Sequence, residues 1–193
     1  MIAATLPVRN ASKQFSRRTH IPVESAPLWT IESGYVRTLT WSELGKVTAL
    51  GLWGPGDIVG KALSRIDPLC VECLCTVRAR PVASEEGFSP DILRDRLYQH
   101  EFMHHLLFDP STEERLLKFF YWLVERFGQV NSGKAILPVK LTHQDLAEFV
   151  GSTRVTVTRL LGQLEKRGKI QWSDRRHMEL IIDNSEFAPR LRA

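Results

Sequence analysis

The stretch "GSTRVTVTRLLGQLEKRG", residues 151–168, asks for two different backbones. Val155, Thr156, Val157 and Thr158 form a β-branched run whose stiff χ1 torsions favour an extended chain. From Leu160 to Gly168 the residues favour helix. The leucines settle the matter: Val157, Leu160, Leu161 and Leu164 stand at i, i+3, i+4 and i+7, the core stripe of an amphipathic helix that Thr153 can cap.

Just upstream, in "LTHQDLAEFV", Thr142 is a candidate N-cap for a short helix whose Leu146, Phe149 and Val150 face inward. Gly151 ends that helix, at a sharp turn where a positive φ is easy only for glycine. The spacing across the turn is specific. Ala147 is followed by Gly four residues later, Val157 six after that and Leu160 three further on, which lets two helices cross closely as a helix-turn-helix. A purely structural helical hairpin is the competing reading. Against it stands the opposite face of the second helix, which shows Arg154, Val155, Thr158 and Arg159 in its first two turns. Two arginines there can grip guanine edges in a DNA major groove, and an exposed valine suits a thymine methyl. After this unit, "GKIQWSDRRHMELIID" reads as strand, turn and strand with Arg175, Arg176 and His177 at its tip. The hairpin is either a basic wing that contacts phosphate or an ordinary solvated turn.

Composition agrees with a nucleic-acid partner. The net charge is +4, and all of the excess falls in residues 131–193, where eleven Lys and Arg face seven Asp and Glu. With 43% hydrophobic and 25% charged residues the chain reads as a soluble globular protein. It shows neither an apolar run long enough to span a bilayer nor a signal-peptide core, so no membrane association and a cytoplasmic location are expected.

Residues 28–82 read as β structure: short apolar or alternating runs are separated by turn signals such as Ser33-Gly34, Gly54-Pro55-Gly56-Asp57 and Asp67-Pro68. Many short strands suggest a barrel or roll. Within them Cys70, Cys73 and Cys75 read as small buried hydrophobes, with a redox pair as the alternative; a four-thiolate metal site lacks its fourth cysteine. From Ser89 the period changes to helical. Leu93, Leu97, His100, His104 and Leu107 step by 4, 3, 4 and 3, a narrow seam of the kind that meets a second helix. On that seam His100 and His104 are candidates for a metal site, a haem ligand set, a pH-sensitive interface, or polar residues that fix register. Asp109-Pro110 then breaks the helix and supplies the cap for the next, and "QVNSGKA" reads as a loop before the basic third.

These motifs together resemble the Crp/Fnr family of dimeric transcription regulators. "LTHQDLAEFVGSTRVTVTRLLGQLEKRGKI" looks like that family's winged helix-turn-helix, and "LWTIESGYVRTLTWSELGKVTALGLWGPGDIVG" like the hairpins of its effector β-roll. Within the family, "STRVTVTRLLG" is most similar to the nitrogen-control branch of cyanobacteria. The resemblance implies an α+β chain: a cyclic-nucleotide-binding-like β-roll at 1–88, a dimerisation helix at 89–108, and a winged helix-turn-helix at 109–193. Asp109 is the implied hinge. It places Arg154, Val155 and Arg159 at bases, and Thr142, His143, Gln144, Ser152, Thr153 and Thr158 near phosphates. Val155 stands where the cAMP-receptor branch has Glu, which favours a GTA-N8-TAC site. Lys61 replaces the Glu expected after "GPGDIVG" and no Arg-Ser cassette follows, so cAMP or cGMP binding is not expected, and no cofactor is predicted. The expected partners are double-stranded DNA, a second copy of the chain and RNA polymerase. A regulator that acts chiefly through its effector domain, by protein contact or by redox or metal response, is the alternative. No enzymatic activity is implied.

Overall fold

The computed structural model describes residues 11–82, 89–131, 134–173 and 177–181. The chain forms two compact units, 1–100 and 101–193.

The first unit holds β1 (Lys13–Phe15), β2 (Leu28–Ser33), β3 (Val36–Trp41), β4 (Val47–Trp53), β5 (Ile58–Val59), β6 (Cys70–Cys73) and β7 (Val77–Val82). They form one sheet ordered β1-β7-β2-β5 and another ordered β4-β3-β6. Trp29 and Ile31 from the first sheet pack with Val36, Trp53, Val71 and Cys73 from the second, so the two inner faces share one core. Alternation along β2 sends Leu28 to the other face, where it meets Ile58, Val82 and Leu63. Ile92, in the first turn of helix α1 (Pro90–Phe108), seals that face. Two further α1 side chains bind the roll: Arg96 lies 4.3 Å over the Trp53 ring, and the Gln99 side-chain amide donates to the Leu52 carbonyl at 2.9 Å. This is the expected β-roll.

Some local readings change. Within the 28–82 span read as β structure, "DIVGKAL" keeps only Ile58–Val59 as strand and turns into a 3-10 segment at Lys61–Leu63. Gly60, at φ +151°, allows this, because a Cβ there would run into the Pro27 carbonyl oxygen. Strand β1 carries no strong apolar signal and forms because β7 offers it a free edge. Cys73 is fully buried and Cys70 nearly so; burial pushes the Cys73 thiol up to about 11, so both behave as protonated apolar groups at neutral pH.

The second unit contains the end of α1, then α2 (Thr112–Phe127), β8 (Gln129–Asn131), β9 (Lys134–Ile136), α3 (His143–Phe149), α4 (Arg154–Lys166), β10 (Ile170–Ser173) and β11 (His177–Ile181). Helix α2 is its central beam. Phe119 stacks on Phe149 at 4.8 Å, and Trp122 stacks on Phe102 of α1 at 5.2 Å. Besides Leu116, Leu117, Phe120, Leu123 and Val124 on one helical face, Phe119, Tyr121 and Trp122 are also buried, because α1 and α3 both supply rings to this helix. The cap of α2 is Ser111, two residues later than Asp109. Asp109 belongs instead to the end of α1, its N–H bonding the Leu106 carbonyl, while its carboxylate pairs with Lys118 at 3.0 Å. The segment "QVNSGKA", expected as a loop, supplies β8 and β9. Register with β11 sets Ala135 opposite Leu180, both buried, and that pairing rather than local propensity makes it a strand. The sheet order is β10-β11-β9-β8.

Candidate DNA-reading helix and its supports

Why Val-Thr-Val-Thr becomes helix is visible in the packing. Val157, Leu160, Leu161 and Leu164 are buried, and at about 0.8 kcal/mol per buried methylene their burial outweighs a few tenths of unfavourable propensity per β-branched residue. Thr153 caps the start, its hydroxyl accepting from the Thr156 N–H at 3.1 Å. Helix α3 starts with a capping box: Thr142 Oγ1 accepts from the Asp145 N–H, and the Asp145 carboxylate accepts from the Thr142 N–H at 2.8 Å. The Thr-x-x-Asp spacing carried this signal in the sequence.

Between the helices Gly151 sits at φ +60°, and the Ser152 N–H closes the turn on the Ala147 carbonyl at 2.9 Å. Ala147 is 1% exposed, so its small side chain is what permits the close crossing. Leu107, from the end of α1, packs against this turn, 3.1 Å from where a Cβ on Gly151 would stand.

The outward face of α4 presents Arg154, Val155, Thr158 and Arg159, all exposed. Val155 is 79% exposed, far outside any core. Arg154 has no ion-pair partner among the described residues, and Arg159 makes only a long 3.4 Å hydrogen bond to Gln163 on its own helix. Both guanidiniums are therefore available to a ligand. The other sequence-predicted contacts are partly engaged within the chain: Gln144 donates to Glu148 at 2.7 Å, and Thr158 Oγ1 donates to the Arg154 carbonyl at 2.9 Å. His143 Nδ1 lies 2.8 Å from the same Thr158 hydroxyl, a bond across the turn that spacing did not foretell. A second unforeseen tie joins Arg167, at the C-cap of α4, to Glu113 in the first turn of α2 at 2.8 Å. That hydrogen bond holds the Glu113 carboxyl below its ordinary range. Arg175 and Arg176 lie outside the described residues; the strands that flank them, β10 and β11, pair antiparallel as a wing requires.

Along α1 the predicted seam is solvent-facing. Leu93, Leu97 and Leu107 are 42%, 56% and 46% exposed, while Gln99, Met103 and Leu106 on another face are buried within the chain. His100 and His104 are exposed on the same stripe, His104 edge-on to Phe108 at 4.9 Å. Partial burial, and then the Arg96 charge, hold the His100 imidazole below its ordinary pKa. Among the described residues no cluster of three His, Cys, Asp or Glu side chains is placed to hold a metal ion. No helix among them is long and apolar enough to cross a membrane.

A model of the Crp-like helix-turn-helix domain matches residues 114–186. Regulatory protein CysR of Synechococcus elongatus is 40% identical over 162 residues, covering 82% of this chain and 79% of that one. The chain belongs to the Crp/Fnr family of transcription regulators. The global nitrogen regulator of a Nostoc species is 41% identical over 78 residues, 40% of this chain and 35% of its own length. Among solved structures, a CRP/FNR-family transcriptional regulator from Thermus thermophilus superposes with a TM-score of 0.69 at 24% identity, covering 95% of this chain and 99% of that one. FixK2 from Bradyrhizobium japonicum gives 0.73 at 19% identity, covering 92% and 95%. CysR, the global nitrogen regulator and the Thermus protein are regulators, not enzymes, and α3 and α4 lie within the matched helix-turn-helix domain, the DNA-binding part of this family.

Proposed function

We propose that this Crp/Fnr regulator acts as a cytoplasmic homodimer that reads a pseudo-palindromic GTA-N8-TAC site without cAMP. One observation carries the reading: on α4, an almost fully exposed Val155 stands between two arginines that lack strong intramolecular partners. An apolar side chain in that place has no stabilising role in the fold, whereas a thymine methyl beside guanine edges gives all three residues work. Thr142, His143, Gln144, Ser152 and Thr153 flank them as phosphate-facing groups, the role that the resemblance also gives to Arg175 and Arg176, outside the described residues.

The exposed stripe of α1, Leu93, Leu97, His100, His104 and Leu107, supports pairing with its counterpart in a second copy. Pairing would set two recognition helices about 34 Å apart, one DNA turn. Asp109, clamped to α2 through Lys118 and Arg115, is the point about which that spacing changes. RNA polymerase is the proposed protein partner once DNA is bound. Binding to a labelled GTA-N8-TAC duplex should weaken steeply with salt, be lost in Arg159→Ala and be unchanged by added cAMP. Equal affinity for a scrambled duplex would refute the site.

A further inference from the structure

The hydroxyl of Thr158 has one proton. The Arg154 carbonyl, 2.9 Å away, can only accept, and a helical threonine commonly turns its proton to the carbonyl four residues back. With the proton so placed, His143 Nδ1, 2.8 Å from the same oxygen, is the donor and the ring takes its Nδ1–H tautomer; the opposite assignment, Thr158 donating to Nδ1, would leave an Nε2–H and give the pH-flat binding that refutes the inference below. Two consequences follow. Thr158 has its proton turned inward and serves as a brace between α3 and α4 rather than as a donor to phosphate. The nitrogen that His143 leaves over is Nε2, which has no hydrogen-bond partner among the described residues. In the neutral ring Nε2 carries a lone pair and repels a phosphate oxygen; only the protonated ring offers it a second N–H and a positive charge.

We infer that His143 contacts the DNA backbone only as an imidazolium, so that each protomer takes up a proton at this residue when it binds DNA. The inference rests on the DNA-binding reading above and assigns the chemistry of one of its contacts. The charged surroundings are consistent with it. From α4 the Arg154 guanidinium and the Thr158 hydroxyl face the ring; on α3 itself Glu148 is held by Gln144, and Asp145 is buried in the cap. Partial burial first, and then Arg154, hold the ring below its ordinary pKa, so the free protein carries it neutral at pH 7. A phosphate beside Nε2 reverses that balance.

The test is a titration of duplex affinity by fluorescence anisotropy from pH 5.5 to 8.5 at constant ionic strength, with full-length protein and a GTA-N8-TAC duplex. Wild type should tighten as pH falls, approaching about tenfold per pH unit for each protomer's proton in the steep region. His143→Gln should lose that dependence. His143→Arg, a permanent cation, should also be flat and should bind at pH 8 as tightly as wild type does near pH 6. Calorimetry of the wild type in buffers of different ionisation enthalpy should show proton uptake on binding, a readout that needs no variant. Salt-dependent binding that is flat with pH, or a His143→Gln slope equal to wild type, overturns this inference alone. Absence of duplex binding at every pH overturns it together with the DNA reading.

Discussion

Val155 and Val157 are two residues apart on one helix, and substitution to alanine should have opposite effects at the two. Val157 is fully buried, so Val157→Ala removes two methyl groups from a packed core. At about 0.8 kcal/mol per methyl plus a cavity contribution, unfolding free energy should drop by about 2 to 3 kcal/mol. Val155, at 79% exposure, loses almost no packing, and alanine is the better helix former by up to about 0.5 kcal/mol. Val155→Ala should therefore be as stable as wild type or slightly more so. Its cost should fall on DNA. If each Val155 covers one thymine methyl, a dimer forfeits about 1.6 kcal/mol, roughly fifteenfold in Kd. Urea unfolding measures the first quantity. For the second, anisotropy is read with the GTA-N8-TAC duplex and with one in which deoxyuridine, which lacks the methyl, replaces the half-site thymines. Wild type should bind the deoxyuridine duplex about as weakly as Val155→Ala binds either one. If the variant discriminates thymine from deoxyuridine as well as wild type does, the assignment of Val155 to a methyl contact is wrong.

Other outcomes follow from the same geometry. Gly151→Ala should cost about 1 to 2 kcal/mol from its positive φ, and the cost should change by under about 0.5 kcal/mol in a Leu107→Ala background, since the half-exposed Leu107 side chain can swing aside; a double-mutant cycle checks this. Thr142→Ala should cost about 1 kcal/mol by urea unfolding through loss of the capping box. His100 and His143 both have folded pKa values depressed below 6.5, so the stability they permit is complete above that value and declines as pH falls through the folded values. His100→Gln should make the melting temperature less sensitive to acid over that range.

Much of the site was legible in the chain itself. The helix-turn-helix spacing from Ala147 to Leu160, the caps Thr142 and Thr153, and the solvent-facing choice of Arg154, Val155 and Arg159 are written at fixed short separations. The helical period alone therefore assigns their faces. The α1 stripe was legible for the same reason. What escaped were relations over long separations or between elements whose mutual placement no local pattern encodes. Glu113 finds Arg167 fifty-four residues away, and the reading of β8 and β9 as a loop failed because β11, more than forty residues on, provides the partner strand.

Residues 151–168 show the division most clearly. By itself the sequence determined that residues 151–168 hold a turn followed by a helix with one apolar and one polar face, because a stripe at i, i+3, i+4 and i+7 fits no other backbone. Only the tertiary structure decided what the four β-branched residues do. It buries Val157, leaves Val155 in solvent, sets Thr156 beside its cap and turns the Thr158 hydroxyl inward to His143. The reason is physical: a hydroxyl or a methyl has no preference for core, brace or groove until other segments fix what surrounds it, and those segments arrive only with the fold.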